Sequence, residues 1–146
     1  MTKEDALLKQ YEILAQTTSD VTGWRQSANN FYIASTTALV GIAAYLKDIS
    51  WITSASFCLI GMAICVVWEQ NIKSYKNLNK AKFDVLQTIE KRLPHQIFAE
   101  EWKKYKKLQS KEIADLERLM PIMFGLAYLI ILAVLLIQFI TPKSTI

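Results

Sequence analysis

Three long apolar runs constrain this chain more than any other feature of its sequence. They cover Phe31–Leu46, Trp51–Trp68 and Leu119–Ile140. The third run holds no Asp, Glu, Lys, Arg or His over its 22 residues, and a helix of that length is about 33 Å long, enough to cross a bilayer's hydrocarbon core. A soluble domain of 146 residues is too small to bury three such helices. The sequence therefore predicts an all-α integral membrane protein with three transmembrane helices.

The first two runs are predicted to form a transmembrane hairpin over residues 31–68. The Lys47–Ser50 segment between them is long enough only for a tight turn. Trp51 and Trp68 bracket the second run, as aromatic residues do at membrane–water interfaces. The first run is rich in small and hydroxyl-bearing residues, which allow helices to approach closely in lipid. We therefore expect the first span to face protein and not lipid.

Residues 1–30 are mostly polar and precede the first span. Apolar residues recur at helical spacing over Glu4–Gln16, which predicts a helix in this N-terminal segment. The run Thr17–Asp20, followed by Gly23, predicts that this helix ends well before the membrane.

Residues 69–118 carry the net positive charge, with 12 Lys and Arg against 8 Asp and Glu. Helix-forming residues over Glu69–Leu93 predict that the second span continues out of the membrane until Pro94 ends it. A second helix over about Ala99–Leu119 would complete a cytosolic helical hairpin. Because basic segments stay on the cytoplasmic side, the N-terminus and residues 69–118 are predicted to be cytoplasmic and the tail 141–146 external.

Residues able to carry catalysis or bind a cofactor are sparse. His95 is the single histidine, and no nucleophile or carboxylate pattern accompanies it, so the sequence predicts no enzyme, metal site or cofactor. Cys58 and Cys65 share one face of the second span but lie too far apart along a helix for a disulfide, which indicates core packing. The lysines are interleaved with acidic residues, which disfavours nucleic acid as a partner.

Polar residues cluster at the start of the first span and inside it. They are Asn29, Asn30, Ser35, Thr36 and Thr37. These side chains would either hydrogen-bond in helix packing or line a water-filled path. Three spans from one chain cannot enclose a pore, so a pore would need a symmetric ring of subunits.

Distinctive stretches also lie at the edges of the spans and between them. They are Arg25–Tyr32; Trp68 with Ser74–Phe83 and Ile89–Pro94; and Phe98–Trp102 with Leu116–Phe124. In this order they resemble the RipA family of octameric membrane proteins. The resemblance implies an eight-membered ring in the bacterial inner (cytoplasmic) membrane. It also implies kinship with a small accessory membrane protein of RNA-targeting CRISPR systems, which resembles a pore that depolarises the membrane during phage attack.

Two hypotheses for function follow. In the first, the homo-oligomer forms a gated pore that alters membrane permeability in stress or phage defence. In the second, it is a non-conducting scaffold in the lipid bilayer whose cytosolic helices recruit a partner protein. A third hypothesis, a membrane-bound enzyme acting through His95, lacks a catalytic constellation.

Residues of the charged segments are candidate contacts between subunits. They are Arg25, Tyr75, Asn79, Phe83 and Trp102. Large aromatic side chains often anchor protein interfaces. Packing within one subunit is the alternative for these aromatics, because buried rings serve both purposes.

Overall fold

The computed structural model describes residues 2–45, 50–108 and 116–141, and the regular elements in these ranges are α-helices. The helices are α1 (Lys3–Tyr45), α2 (Trp51–Glu90), α3 (Ile97–Leu108) and α4 (Leu119–Ile140). The all-α prediction is therefore confirmed for this part of the chain. The predicted turn at Lys47–Ser50, except for Ser50 itself, lies outside the described residues, as does the tail beyond Thr141.

Two of the described helices, α2 and α4, are long and apolar enough to cross a bilayer. α4 has the bounds predicted for the third apolar helix, and α2 includes the whole second apolar run. The first predicted span, Phe31–Leu46, falls in α1 as far as Tyr45. Over its described residues α1 does not meet the same criterion, and the polar side chains Asn29, Asn30 and Thr36 are part of the reason.

α1 is one helix of 43 residues, so the break predicted at Thr17–Asp20 is wrong. The hydroxyl groups of Thr17 and Thr18 both donate to the carbonyl oxygen of Leu14, over 3.1 and 2.7 Å. Threonine disfavours helices when its hydroxyl draws backbone groups into other conformations. Here the two hydroxyl groups form hydrogen bonds within α1, so the helix continues through Thr17–Asp20.

α2 extends well beyond the apolar run, as predicted, but it ends at Glu90 and not at Pro94. The backbone N–H groups of Arg92 and Leu93 donate to the carbonyl oxygens of Ile89 and Glu90, each over 2.9 Å. These bonds make a tight turn ahead of the proline, whose ring disfavours helical geometry in the residue before it.

α3 begins at Ile97, two residues before the predicted start, and is described as far as Leu108. Residues 109–115, which the prediction placed in the same helix, lie outside the described residues. Pro121 lies in the first turn of α4, where a backbone N–H has no partner within the helix. Pro121 therefore costs α4 no hydrogen bond within the helix and introduces no break.

The chain forms two compact units. The charged unit comprises Met1–Ser27 and Ile72–Leu116, and the apolar unit comprises Ala28–Asn71 and Glu117–Ile146. Val21, Ile72 and Leu86 are buried in the charged unit, and Cys58, Cys65, Trp68 and Tyr128 are buried in the apolar unit. Both cysteines are free, in agreement with the prediction of core packing.

Candidate functional site

Tyr128 of α4 joins the three helices of the apolar unit. Its side chain is only 4% exposed and packs with Cys58 and Cys65 of α2. Its hydroxyl group donates to the backbone carbonyl oxygen of Thr36 in α1, over 2.9 Å. Within an apolar environment a hydrogen bond of this kind has no water to compete with it. Tyr128 therefore sets the position of all three helices relative to one another within this unit.

The predicted intramembrane polar residues divide by their surroundings. Thr36 is fully buried, and its hydroxyl donates to the carbonyl oxygens of Tyr32 and Ile33 in its own helix, over 2.8 and 3.0 Å. Ser35 is half-buried and Thr37 is exposed. In this subunit the hydroxyl of Thr36 therefore serves its own helix, and the carbonyl oxygen of the same residue makes the contact between helices.

A cluster of aromatic rings and amides joins α1 to α2 about one to two turns before Thr36. The indole Nε1 of Trp68 donates to Oδ1 of Asn29 over 2.8 Å. The Trp68 ring stacks on Tyr32, with centroids 5.7 Å apart, and the hydroxyl of Tyr32 accepts from Nδ2 of Asn71 over 3.2 Å. Trp68 is only 1% exposed. The ring of Trp68, at the predicted end of the second apolar run, therefore packs against protein groups, and its N–H has a protein acceptor.

An ion pair connects α2 to the start of α4. A guanidinium nitrogen of Arg118 lies 2.8 Å from Oε1 of Glu69, and both side chains are partly exposed. Glu69 follows Trp68 directly, so the ion pair lies beside the aromatic–amide cluster. An exposed pair of this kind contributes little stability, about 0–1 kcal/mol, and mainly fixes orientation.

Sequence reasoning identified Asn29 as a candidate residue. It did not identify Trp68, Asn71 and Tyr128 as residues that make polar contacts between the helices of the apolar unit. Trp68 and Asn71 lie three residues apart, which places them on one helix face at the end of the second apolar run. Tyr128 carries the single hydroxyl group in the third apolar run. The N–H of a buried tryptophan and the hydroxyl of a buried tyrosine usually have a hydrogen-bond partner. A search of the apolar runs for such groups would have identified these residues.

Asn29→Ala is expected to weaken the α1–α2 contact, because the buried indole N–H of Trp68 loses its acceptor. The cost expected for an unsatisfied buried donor is about 1–3 kcal/mol. Asn30→Ala is the matched control, since Asn30 is exposed in this subunit. We measure the temperature at which the detergent-solubilised protein loses its folded elution profile. If both variants lower this temperature equally, the hydrogen bond of Asn29 does not stabilise the contact between α1 and α2.

Two further substitutions extend the same comparison. We expect Arg25→Ala and Asn29→Ala to weaken assembly or function more than Lys143→Ala, because Arg25 and Asn29 lie at the start of the small-residue segment of α1. Lys143 lies outside the described residues. The assay is cell growth or depolarisation on expression, and equal effects of the three substitutions would argue against this placement.

Glu90 joins α1, α2 and α3 in the charged unit. Its carboxylate is fully buried. Oε1 accepts from the hydroxyl of Tyr11 and from the backbone N–H of Phe98, each over 2.8 Å, and Oε2 accepts from the N–H of Ala99 over 3.1 Å. The two amides belong to the first turn of α3, whose N–H groups lack partners within the helix. Burial, reinforced by the hydrogen bond and negative charge of Glu90, raises the pKa of Tyr11 to about 12.

Aromatic rings continue from Tyr11 along one side of α3. Phe98 lies edge-on to both Tyr11 and Phe83, at 6.0 and 6.3 Å between centroids. Phe83 stacks on Trp102, and Trp102 stacks on Tyr105, each at 5.5 Å. The rings of Phe83 and Trp102 therefore pack within their own subunit, and their role in subunit contact stays a prediction.

The other predicted assembly residues are all half-buried. They are Arg25, Tyr75 and Asn79. Oδ1 of Asn79 is buried and accepts no hydrogen bond from the described residues. The role of these three residues in contact between subunits stays a prediction.

Groups that could do chemistry do not converge in the described part of the chain. No three or more His, Cys, Asp or Glu side chains among the described residues come together as a metal ion would require. His95 is exposed in the turn between α2 and α3. The two clusters around Tyr128 and Glu90 are instead built to hold helices together, one in each unit.

Two apolar helices of membrane-crossing length, each joined to α1 by a polar contact, are typical of an α-helical membrane protein. The sequence model of the octameric membrane protein family (8xMP) matches residues 8–137, which takes in both units and part or all of each helix. The chain belongs to this family. No curated protein and no solved structure matches it.

Proposed function

We propose that eight copies of this chain form a ring in the bacterial inner membrane and that the ring encloses a gated pore. Opening of the pore would alter membrane permeability in stress or phage defence. Membership of an octameric family supports the ring. A ring of this kind supplies the symmetric enclosure that one subunit with so few helices cannot provide.

One observation carries the pore proposal: a face of α1 that carries two polar and two small residues is exposed within the apolar unit. We call this face the polar stripe. The stripe consists of Asn30, Ala34, Thr37 and Gly41, all of them exposed. Their spacing of four, three and four residues places them on one face of the helix. From Asn30 to Gly41 the stripe is about 16 Å long at 1.5 Å per residue.

α4 presents a different surface from this stripe. Apart from Gln138 near its C-terminal end, its exposed large side chains are apolar: Leu119, Met120, Ile122, Met123, Leu126, Leu129, Ile130, Ile131, Val134, Leu136, Ile137, Phe139 and Ile140. Such a surface suits contact with lipid chains. Polar residues inside membranes face a protein interior or water. In a ring with α4 on the outside and the polar stripe towards the axis, α4 would contact lipid and the polar stripe would contact water.

Cysteine accessibility in liposomes tests which helix lines the pore. In a Cys58→Ala, Cys65→Ala background, Thr37→Cys places a thiol on the polar stripe. Leu129→Cys is the matched control, since Leu129 is 52% exposed on α4. A charged, water-soluble thiol reagent is expected to remove most of the ion flux through the Thr37→Cys variant and to leave the Leu129→Cys variant unchanged. Absence of flux under every trigger, or equal inhibition of both variants, would overturn the proposal.

The proposed ring is oriented with the charged unit in the cytoplasm. The 12 Lys and Arg against 8 Asp and Glu in residues 69–118 support this orientation, because basic segments are retained on the cytoplasmic side. In this orientation the charged unit is exposed to cytoplasmic signals.

A non-conducting scaffold is the second candidate function. The observation that favours it is the separate core of the charged unit, with Glu90 and Leu86 fully buried. A unit with its own core can present a surface to a cytosolic partner protein. Photo-crosslinking from Tyr75 and Asn79 in cells tests it: a heterologous partner captured without any measurable conductance supports the scaffold, and crosslinks only between copies of this chain count against it.

A further inference from the structure

The C-terminal half of α3 concentrates positive charge. Lys103, Lys104, Lys106 and Lys107 lie within five residues of one another, and all are exposed. We call these four residues the basic end of α3. The acidic residues of this helix, Glu100 and Glu101, both precede them. The basic end therefore carries four positive charges with no carboxylate among them.

The packing of α3 directs most of this charge outward. Phe98, Ala99 and Trp102 are the half-buried residues of the helix, and Phe98 and Ala99 are tied to Glu90 through their backbone N–H groups. At 3.6 residues per turn, Lys103, Lys104 and Lys107 lie on the opposite side of α3 from Phe98 and Trp102. Lys106 stays near the packed side, with its Nζ 5.4 Å from the centre of the Trp102 ring.

The outward side of α3 also exposes apolar side chains. Leu108 is 88% exposed at the end of the helix, and Ile97 is 64% exposed at its start. Lysines beside exposed apolar residues on one side of a helix are typical of segments that lie at a membrane surface.

The basic end of α3 also lies close in sequence to a helix of membrane-crossing length. α3 is described as far as Leu108, and α4 begins at Leu119. Only ten residues separate these two positions. The lysines of the basic end are therefore juxtamembrane in sequence.

We propose that the basic end of α3 binds the headgroups of anionic lipids in the leaflet next to the charged unit. The positive charges meet the phosphate groups, and Leu108 and Ile97 contact the headgroup–acyl boundary. Anionic leaflets attract juxtamembrane lysines in this way, and the attraction falls off within a Debye length. The inference goes beyond the proposed pore, because it holds whether or not the ring conducts ions.

Hydrogen exchange of the full-length protein in nanodiscs tests this site. One set of nanodiscs contains phosphatidylcholine alone, and the other contains phosphatidylglycerol as well. Backbone amides of residues 97–108 are expected to exchange at least several-fold more slowly in the anionic nanodiscs. About 0.5 M salt should abolish the difference, because it shortens the Debye length to a few ångströms.

Variants with the same number of neutralised lysines separate the site from general charge. Lys103→Gln, Lys104→Gln, Lys107→Gln should lose the slow exchange in anionic nanodiscs. The control Lys3→Gln, Lys9→Gln, Lys80→Gln removes three exposed lysines elsewhere and should keep it. Native mass spectrometry of both variants establishes that the oligomer is intact, so a failure of assembly is distinguishable from a failure of lipid binding.

Three results would overturn the proposal. Equal exchange in both kinds of nanodisc excludes an anionic lipid site. Slow exchange already present without anionic lipid, and unaffected by the three glutamines, means that another protein surface covers α3. Slow exchange that appears only when RNA is added to phosphatidylcholine nanodiscs assigns the lysines to nucleic acid.

Discussion

Gly61→Ala is expected to destabilise the apolar unit by about 1–3 kcal/mol, the usual cost of overpacking a well-filled core. A Cβ atom built on Gly61 would lie 2.6 Å from both Cε1 and Cε2 of the Tyr128 ring. Real Cβ atoms do not approach other atoms so closely. The ring cannot easily move away, because Cys58 and Cys65 enclose it and its hydroxyl is bonded to the carbonyl of Thr36.

Gly23→Ala is the matched control for this substitution. Gly23 also lies inside a long helix, but no atom lies within 4 Å of the place where its Cβ would be. Alanine is the better helix former by about 1 kcal/mol, so this variant should be neutral or slightly more stable. Thermal unfolding in detergent compares the two. If Gly61→Ala unfolds at the temperature of the Gly23→Ala variant, α2 and α4 do not pack through this glycine.

A double substitution shows whether Tyr128 is the cause. In the Tyr128→Ala background the added methyl group of Gly61→Ala meets no ring. The two substitutions should therefore cost less together than the sum of their separate costs, as expected for residues in contact. Additive costs would mean that Gly61 acts through some other neighbour.

Glu90→Ala is expected to destabilise the charged unit by about 2–4 kcal/mol. It removes the acceptor of three hydrogen bonds and leaves the N–H groups of Phe98 and Ala99 and the hydroxyl of Tyr11 without a protein partner. Hydrogen bonds to a charged group contribute about 1.5–3 kcal/mol each, and their effects do not simply add. Because the carboxylate holds the start of α3, that helix should detach before the rest of the unit unfolds.

Hydrogen exchange of α3 and thermal unfolding measure this effect. Glu90→Gln keeps the shape and one acceptor oxygen and should lose less stability than Glu90→Ala. Glu101→Ala is the control, since Glu101 is an exposed glutamate on α3 itself. Unchanged exchange of residues 97–99 in the Glu90→Ala variant would show that the carboxylate does not hold α3 in place.

The long apolar helices are the part of this fold that the sequence predicts best. α4 has the predicted bounds, because 22 residues with no charge leave no competing structure. The continuation of α2 past its apolar run also follows from composition, since helix formers follow Trp68 without a break. Both features depend on which residues are neighbours along the chain, and a single sequence contains that information.

The break predicted in α1 failed for a physical reason. Thr17 and Thr18 are poor helix formers on average, but each hydroxyl bonds to the carbonyl of Leu14. Average propensity is a weak guide when packing holds the helix, and here Thr18 is buried. The surroundings of Trp68 could not be predicted from local pattern either, because they are decided by Asn29 and Tyr32 on another helix.

The polar contacts that build the two clusters are hardest to read from sequence. The bond from Tyr11 to Glu90 joins residues 79 positions apart, and that from Tyr128 to Thr36 joins residues 92 apart. No local pattern pairs such residues. What the sequence does offer is a polar atom in an apolar setting, which signals that a partner exists without identifying it.

Subunit number is the property on which the proposed pore depends most directly. Native mass spectrometry of the full-length protein, released from detergent micelles, counts the copies in the complex. A closed ring predicts a single dominant species of eight copies, with no ladder of smaller species at working concentration. A monomer or dimer would contradict the proposal, because so few helices cannot enclose a water-filled path through a bilayer.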